Sequence, residues 1–284
     1  MNKVIHILKI SVLAVTFLGL TGLQSHAQEK LFQDTLACPI IGFNIGTTIP
    51  AAGFSTSFAP DGTKNDGATM ASLYKGPWMA FGANFIYKYK SNWLLTFDFD
   101  VVLGNDNLKH RVERMSPVFT SDSLIMGLNG VDGAFICHNR GISLKAGFGK
   151  ILKVDKRNPN SGILLKASTG YTNQKTVFSQ EHGEAQAPQL TGAYANLYDH
   201  RRAGVILTEG IGYWFMSNNK NLVNMYIVFE INQSWMFSTR DYVIDDYIGL
   251  RGPDNSTHFD LTYTIKFCWM FPLKGKTTYD YYYY

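Results

Sequence analysis

The sequence predicts an all-β protein, an antiparallel transmembrane β-barrel of about eight strands. Three observations predict it: an export segment at the start, apolar residues at every second position over long stretches, and connections that alternate between short and long. Composition agrees. Of 284 residues 14% are aromatic, with 16 Tyr and 19 Phe, and 26 are Gly, while Asp, Glu, Lys and Arg together make 17%. With 26 basic against 22 acidic residues, the chain is neither a disordered charged polymer nor a nucleic-acid arm.

The export segment comes first. Lys3 and Lys9 precede the apolar run Ile10–Leu20, and Ser25-His26-Ala27 places small residues around a cleavage point. The run falls short of the ~20 residues a spanning helix needs. Cleavage before Gln28 is therefore expected, with residues 28–38 left as a periplasmic N-terminal segment. Export also permits disulfides, but Cys38, Cys137 and Cys268 are odd in number and match no zinc spacing. Thr35-Leu36-Ala37-Cys38 makes a poor lipobox, because the residues before it are polar.

No apolar run of helical-span length follows Leu20, so any span must be built from strands. In Trp93–Val101 every odd position is apolar, and Thr96, Asp98 and Asp100 fall on the other side, which a strand collects on one face and a helix scatters. The same rhythm places Met79, Phe81, Ala83, Phe85 and Tyr87 together. It does so again for Ile142, Leu144, Ala146 and Phe148, for Val223 to Ile231, and most cleanly for Phe259 to Trp269. Less regular runs at Ile40–Ile49, Ile163–Phe178 and Ala203–Phe215 complete eight strands; a hairpin of Val118–Met126 and Val131–Cys137 would make ten.

The connections Lys90–Asn92, Asp155–Ser161 and Ser217–Lys220 are short and rich in turn residues, whereas Pro50–Lys75, Gly104–Arg140, Gln180–His200 and Ser238–Thr257 are long and polar. Short periplasmic turns and long external loops have this asymmetry. The barrel is thus expected over residues 39–271, followed by a Tyr-rich tail, 272–284. A soluble sandwich or lipocalin-like barrel would also alternate. Against it, the second face is rich in Gly, Ser, Asn and Thr with a few charges, which suits a narrow filled lumen. Trp78, Tyr87, Tyr89, Trp93, Tyr213, Trp214, Trp235 and Trp269 also crowd strand ends, where girdles form.

On this architecture, and on a closing strand His258–Phe271 that ends in aromatics, the chain resembles the small eight-stranded outer-membrane barrels of Gram-negative bacteria, of the OmpA, OmpX and PorT kind. Gly147-Phe148-Gly149-Lys150, Asn158-Pro159-Asn160-Ser161-Gly162 and Gly170-Tyr171 also resemble segments of exported barrels. The resemblance implies residence in the outer membrane after cleavage near Ala27. It implies a non-enzymatic structural or accessory role in the cell envelope, in secretion or assembly machinery for the PorT-like part. The alternative is a narrow channel or a lipid-modifying enzyme, since both exist on this scaffold. Outer-membrane lipid, lipopolysaccharide and envelope proteins are the implied partners. The tail beyond Phe271, with Lys274, Lys276 and Tyr281 to Tyr284, departs from barrels that stop at the final aromatic.

The inward parity collects Lys88, Lys145, Lys166 and Lys266 with Asp98, Asp100, Glu230 and Asp260, an expected lumen network of four cations and four anions. Eight strands leave an interior that side chains just fill, so these charges should pair. Glu209 falls among the lipid-facing residues Val205, Leu207 and Ile211 unless a bulge near Gly210 or Gly212 changes the register. Lys109, Arg111 and Arg114 beside His110, and Arg201 and Arg202 beside His200, are candidates to contact lipopolysaccharide phosphates, which suit the Arg fork. No catalytic residue is assigned: His110, His138, His182, His200 and His258 lie in loops or at strand ends without a paired Ser and acid. No phosphate loop or metal cluster appears, so no cofactor and no metal are expected. Barrel closure would bring Cys38 and Cys268 to one rim, but Cys268 points inward and Cys38 precedes Pro39, so both are expected free, with Cys137 alone in a loop.

Overall fold

The computed structural model describes residues 35–55, 69–106, 108–120, 122–154, 158–182, 185–217, 224–240, 243–246 and 249–273. The export segment, its cleavage point and the tail beyond Leu273 lie outside them, as do most residues of the turn after Ser217.

The strands are β1 (Cys38–Ser55), β2 (Trp78–Lys88), β3 (Trp93–Asp106), β4 (Ile125–Met126), β5 (Asp132–Lys153), β6 (Gly162–His182), β7 (Arg202–Met216), β8 (Asn224–Ser238), β9 (Val243–Asp245), β10 (Leu250–Gly252) and β11 (Thr257–Pro272). Eight of them form the wall, in the order β3-β2-β1-β11-β8-β7-β6-β5, and pairing of β3 with β5 closes the ring. All these pairs are antiparallel. Closure satisfies the backbone all round and leaves no edge.

Alternation decides which face is which. Phe43, Phe97, Leu144, Val205 and Ile265 stand out from the wall at 61%, 48%, 55%, 54% and 54% exposure, while Thr96, Ser168 and Thr208 are buried inside. So continuous an apolar belt is untenable against water and natural against acyl chains. Tyr87, Tyr89, Trp93, Tyr213, Trp235 and Trp269 point away from the lumen, but Trp78 and Trp214 do not. Both are buried within the barrel, which corrects their expected place in the girdles. The reason is parity, since Trp78 precedes the outward Met79 and Trp214 follows the outward Tyr213.

The wall has eight strands rather than ten. Ile125 pairs with Gly133 and Met126 with Asp132, so β4 extends the upper end of β5 and never enters the ring, where β5 is already flanked by β3 and β6. β5 and β6 run for 22 and 21 residues, well beyond the ~9–11 of one span. Their upper halves rise past the apolar belt, which is why polar His138-Asn139-Arg140 is strand although its composition reads as loop. Cys137 accordingly lies in β5, buried among Met115, Ile125 and Leu190, rather than in a loop. None of the three cysteines forms a disulfide. Ile40 pairs with Pro272 and Asn44 with Cys268, so Cys38 and Cys268 occupy different levels of the wall.

At the periplasmic end, Asn92 takes a left-handed φ of 60° and its side chain donates to Pro159 O at 2.9 Å, tying two short turns together. At the other end the described parts of the long connections fold over the mouth. Met70–Leu73 forms one helical turn inside it, and Met70, Leu73, Tyr74 and Trp78 pack against Met236.

Candidate functional site

The lumen is the most chemically dense part of the molecule. Inward parity delivers Asp98 and Asp100 from β3, Lys145 from β5, Lys166 from β6, Glu230 from β8 and Lys266 from β11. Glu230 reaches all three lysines, at 3.6 Å to Lys145, 3.3 Å to Lys166 and 2.9 Å to Lys266. Asp100 lies 2.9 Å from Lys145 and 2.7 Å from Lys266, and Asp98 lies 2.8 Å from Lys166. Gly82 makes room for this layer, because a Cβ there would stand 2.6 Å from the Asp100 carboxylate. Three cations meet three anions, so the buried layer is neutral, the condition under which burying charge is tolerable.

The network is smaller than the four-on-four expected. Lys88 sits at the periplasmic mouth, where its ammonium donates to Leu36 O at 2.9 Å and to Asn160 Oδ1 at 3.0 Å. Asp260 sits at the external mouth and accepts the backbone N–H of Met70 at 3.2 Å and of Ala71 at 2.9 Å. Both point inward, but strand tilt and stagger set them at opposite heights.

Neutral layers flank the charges. On one side Thr208 Oγ1 donates to Asn232 Oδ1 at 2.8 Å and Asn232 Nδ2 to Thr264 Oγ1 at 2.9 Å. On the other, Asn84 Nδ2 donates to Tyr226 Oη at 2.7 Å, and Tyr226 stacks on Trp214 with centroids 5.5 Å apart. Ile40, Ile86, Leu94, Leu164 and Met270 then fill the periplasmic end with apolar side chains. A lumen cavity touching Asp100, Lys145 and Lys266 measures about 40 Å³, room for a water or two.

A second buried charge cluster caps the external mouth, and neither its pairs nor its burial was read from sequence. Asp245 accepts from Arg114 and lies 3.1 Å from His200 Nε2, so three loops converge on one carboxylate. Beside it Arg202 Nη2 donates to Asp254 at 3.3 Å, and Arg240 Nη2 to Asp199 at 3.2 Å. Burial pushes the His200 imidazole down, more than its bond to Asp245 lifts it. Burial also works to raise Asp245, yet His200 and Arg114 hold it below the usual carboxylate range; His258 and Arg202 do the same for Asp254. Asp199 goes the other way, raised by burial against Arg240.

These pairs correct the lipopolysaccharide assignment of Arg114 and Arg202. Both are buried, at 5% and 1% exposure, with their guanidiniums turned onto Asp245 and Asp254. Basic runs in long loops read as solvated, but the acids that bury these two lie more than fifty residues away in sequence. Arg201 is half-buried beside them. Lys109 and Arg111 remain nearer the surface, and with Lys75 and His110 they line an open groove of about 500 Å³ in which Glu113 is the acid. The Tyr74–Leu108 bridge brings these two loops together.

Asp254, Ser256 and His258 form the one arrangement that mimics a hydrolase among the described residues. Ser256 Oγ and Asp254 Oδ2 both lie 2.8 Å from the same His258 nitrogen, Nε2. A catalytic relay needs the hydroxyl and the carboxylate on different ring nitrogens. Ser256 and His258 are moreover buried, at 5% and 0% exposure. The three side chains lie together at the external mouth of the barrel.

No family model matches the chain, and no curated protein does. Among solved structures, similar chains are Ail, the attachment invasion locus protein of Yersinia pestis, in complex with the heparin analogue sucrose octasulfate, Neisserial surface protein A, and outer membrane protein AlkL. Ail is 13% identical, over 83% of this chain and 97% of that one, with a TM-score of 0.33. For Neisserial surface protein A the identity is 11%, the coverage 80% and 95%, and the TM-score 0.27. For AlkL the figures are 9%, 89% and 99%, and 0.37. The chain folds as a small eight-stranded β-barrel.

Proposed function

We propose that this protein is a closed outer-membrane β-barrel of a Gram-negative envelope, serving as a non-enzymatic structural or accessory component, of secretion or assembly machinery by its PorT-like resemblance. The observation that carries the reading is the filled lumen inside an apolar wall. A neutral six-residue ion network, stacked Trp214 and Tyr226, and an apolar plug leave a cavity of about 40 Å³ beside the charges. A conducting pore needs a continuous polar path, and the apolar periplasmic end interrupts one. The buried Asp254–Ser256–His258 cluster likewise favours a structural role over hydrolysis.

On this reading the groove of Lys75, Lys109, His110 and Arg111 meets lipopolysaccharide phosphates at the outer leaflet. Cell fractionation and planar bilayers test the proposal together. The protein should be extracted only with detergent, migrate as a heat-modifiable band, and give no steady current. Recovery in the soluble periplasm would overturn the location, and discrete conductance steps would overturn the closed barrel. Affinity purification from native membranes, followed by mass spectrometry, should return envelope proteins.

A further inference from the structure

Glu209 is a carboxylate on the lipid face. The pairing of β7 runs without a bulge from Ala203 to Trp214, with Ala167 on one side of Glu209 and Ile231 on the other. The outward parity therefore holds, and Glu209 is exposed midway along β7, between outward Val205 and Leu207 above and Ile211 and Tyr213 below. Among the described residues nothing makes a hydrogen bond or an ion pair with its carboxylate. An ionisable group at that depth is costly and marks a function more often than an accident.

The surface around it is shaped as well as charged. An external groove of about 470 Å³ runs across the wall there, flanked by Trp93, Phe148, Phe229 and Ile231, with small Ala167 beside Glu209. Lys150 also lines it but is committed elsewhere, donating to Ser91 O at 2.8 Å and lying 4.7 Å over the Trp93 ring at the periplasmic turn.

We infer that this groove is a lateral docking site, inside the membrane, for a different membrane-inserted protein that presents a Lys or Arg at mid-depth to Glu209. Charge complementarity selects a cationic partner, because only a pair removes the cost of a carboxylate among acyl chains. A second copy does not supply it. Copies insert in one direction, so each residue keeps its depth. The outward Lys and Arg among the described wall residues sit toward the strand ends, Arg140 and Lys175 at the external side and Lys150 at the periplasmic side. Two copies would set Glu209 against uncharged neighbours or against itself.

The inference rests on the membrane reading, and photocrosslinking of the full chain in its native membrane separates the two. A photoreactive phenylalanine analogue replaces Ala167 in one strain and Phe43, on the opposite wall, in another. The expected result is lipid adducts at both positions and one protein adduct at 167 only, whose crosslinked peptide carries a Lys or Arg within a membrane-spanning segment. Glu209→Gln should lower that adduct roughly tenfold, as loss of a charged hydrogen bond does, while the barrel keeps its heat-modifiable mobility. Glu209→Lys combined with the reverse change in the partner should restore it. An adduct of two copies, an adduct indifferent to Glu209→Gln, or lipid adducts alone at both positions would each overturn the inference. Absence of lipid adducts at both would instead overturn the membrane reading.

Discussion

In the lumen, six charges from five strands meet side chain to side chain; at the external mouth, Arg114, His200 and Asp245 come from three separate loops to share one carboxylate. The two layers use the same ion pairs but hold them differently. In the wall, sheet register fixes each partner, so moving one group means moving a strand. In the cap, partners are fixed only by how the loops fold over one another, and the Asp245 hairpin of β9 and β10 is independent of the ring. Burial alone therefore does not set how firmly a charge is held; the element carrying it does.

The sharpest way to break this contrast is Glu230→Leu. It removes the one carboxylate that reaches all three lysines and leaves a net positive lumen, an imbalance worth about 3–5 kcal/mol. Urea unfolding of the detergent-solubilised barrel should show that loss as a lower midpoint for the whole wall. If the midpoint stays put, the network is not holding the strands.

Arg114→Met should cost about 1.5–3 kcal/mol, and the loss should be local. Protease cleavage of the external loops and amide exchange near Asp245 should rise while the global midpoint is unchanged. A shift of the whole transition would mean that cap and wall unfold as one unit and erase the distinction.

Acid should loosen the cap first. His200 is held below its ordinary value of about 6.5, so below that pH the open loops take up a proton that the closed cap refuses. Cap stability is complete above about pH 6.5 and falls as pH drops beneath it. Asp245 and Asp254, both depressed, withdraw further stability only below about pH 4, whereas raised Asp199 takes up its proton above that pH and so offsets part of the loss from His200. The opening equilibrium of the cap, read from amide exchange after division by the intrinsic rate at each pH, should thus rise several-fold from about pH 7.5 to about pH 5.5, and His200→Gln should weaken that response.

The smallest expected effect sharpens the contrast from outside the barrel. Glu209→Leu in the purified protein should raise the unfolding midpoint, by an amount corresponding to about 1 kcal/mol or less of free energy, since an acid on the lipid face costs less than a base. A lower midpoint would show that Glu209 supports the wall itself.

The two layers also differ in how far they were legible. Period two placed Asp98, Asp100, Lys145, Lys166, Glu230 and Lys266 on the inner face because a strand repeats every second residue whatever surrounds it. The inward direction of Lys88 and Asp260 was equally readable, but their heights were not, because stagger between strands is a property of the closed ring. Trp78 and Trp214 carried the inward signal in their parity, and their place at strand ends obscured it. Nothing local announced that Arg114 would find Asp245 or Arg202 would find Asp254, because those pairs depend on loop packing rather than on any repeat. Where the chain is periodic, its chemistry could be placed residue by residue; where it is not, only composition could be read, and composition mistook buried cations for surface ones.

The pairing of β1 with β11 has a kinetic consequence. Ile40 lies against Pro272 and Ile49 against Tyr263, so the seam that seals the ring joins segments more than two hundred residues apart. Loop-closure entropy makes such a contact slow to form. Until β11 arrives, both margins of the sheet present unpaired amides beside an apolar face, a template for joining other chains. On the proposed outer-membrane location, a chain crossing the periplasm in that open form must be kept from its neighbours until the last strand meets the first.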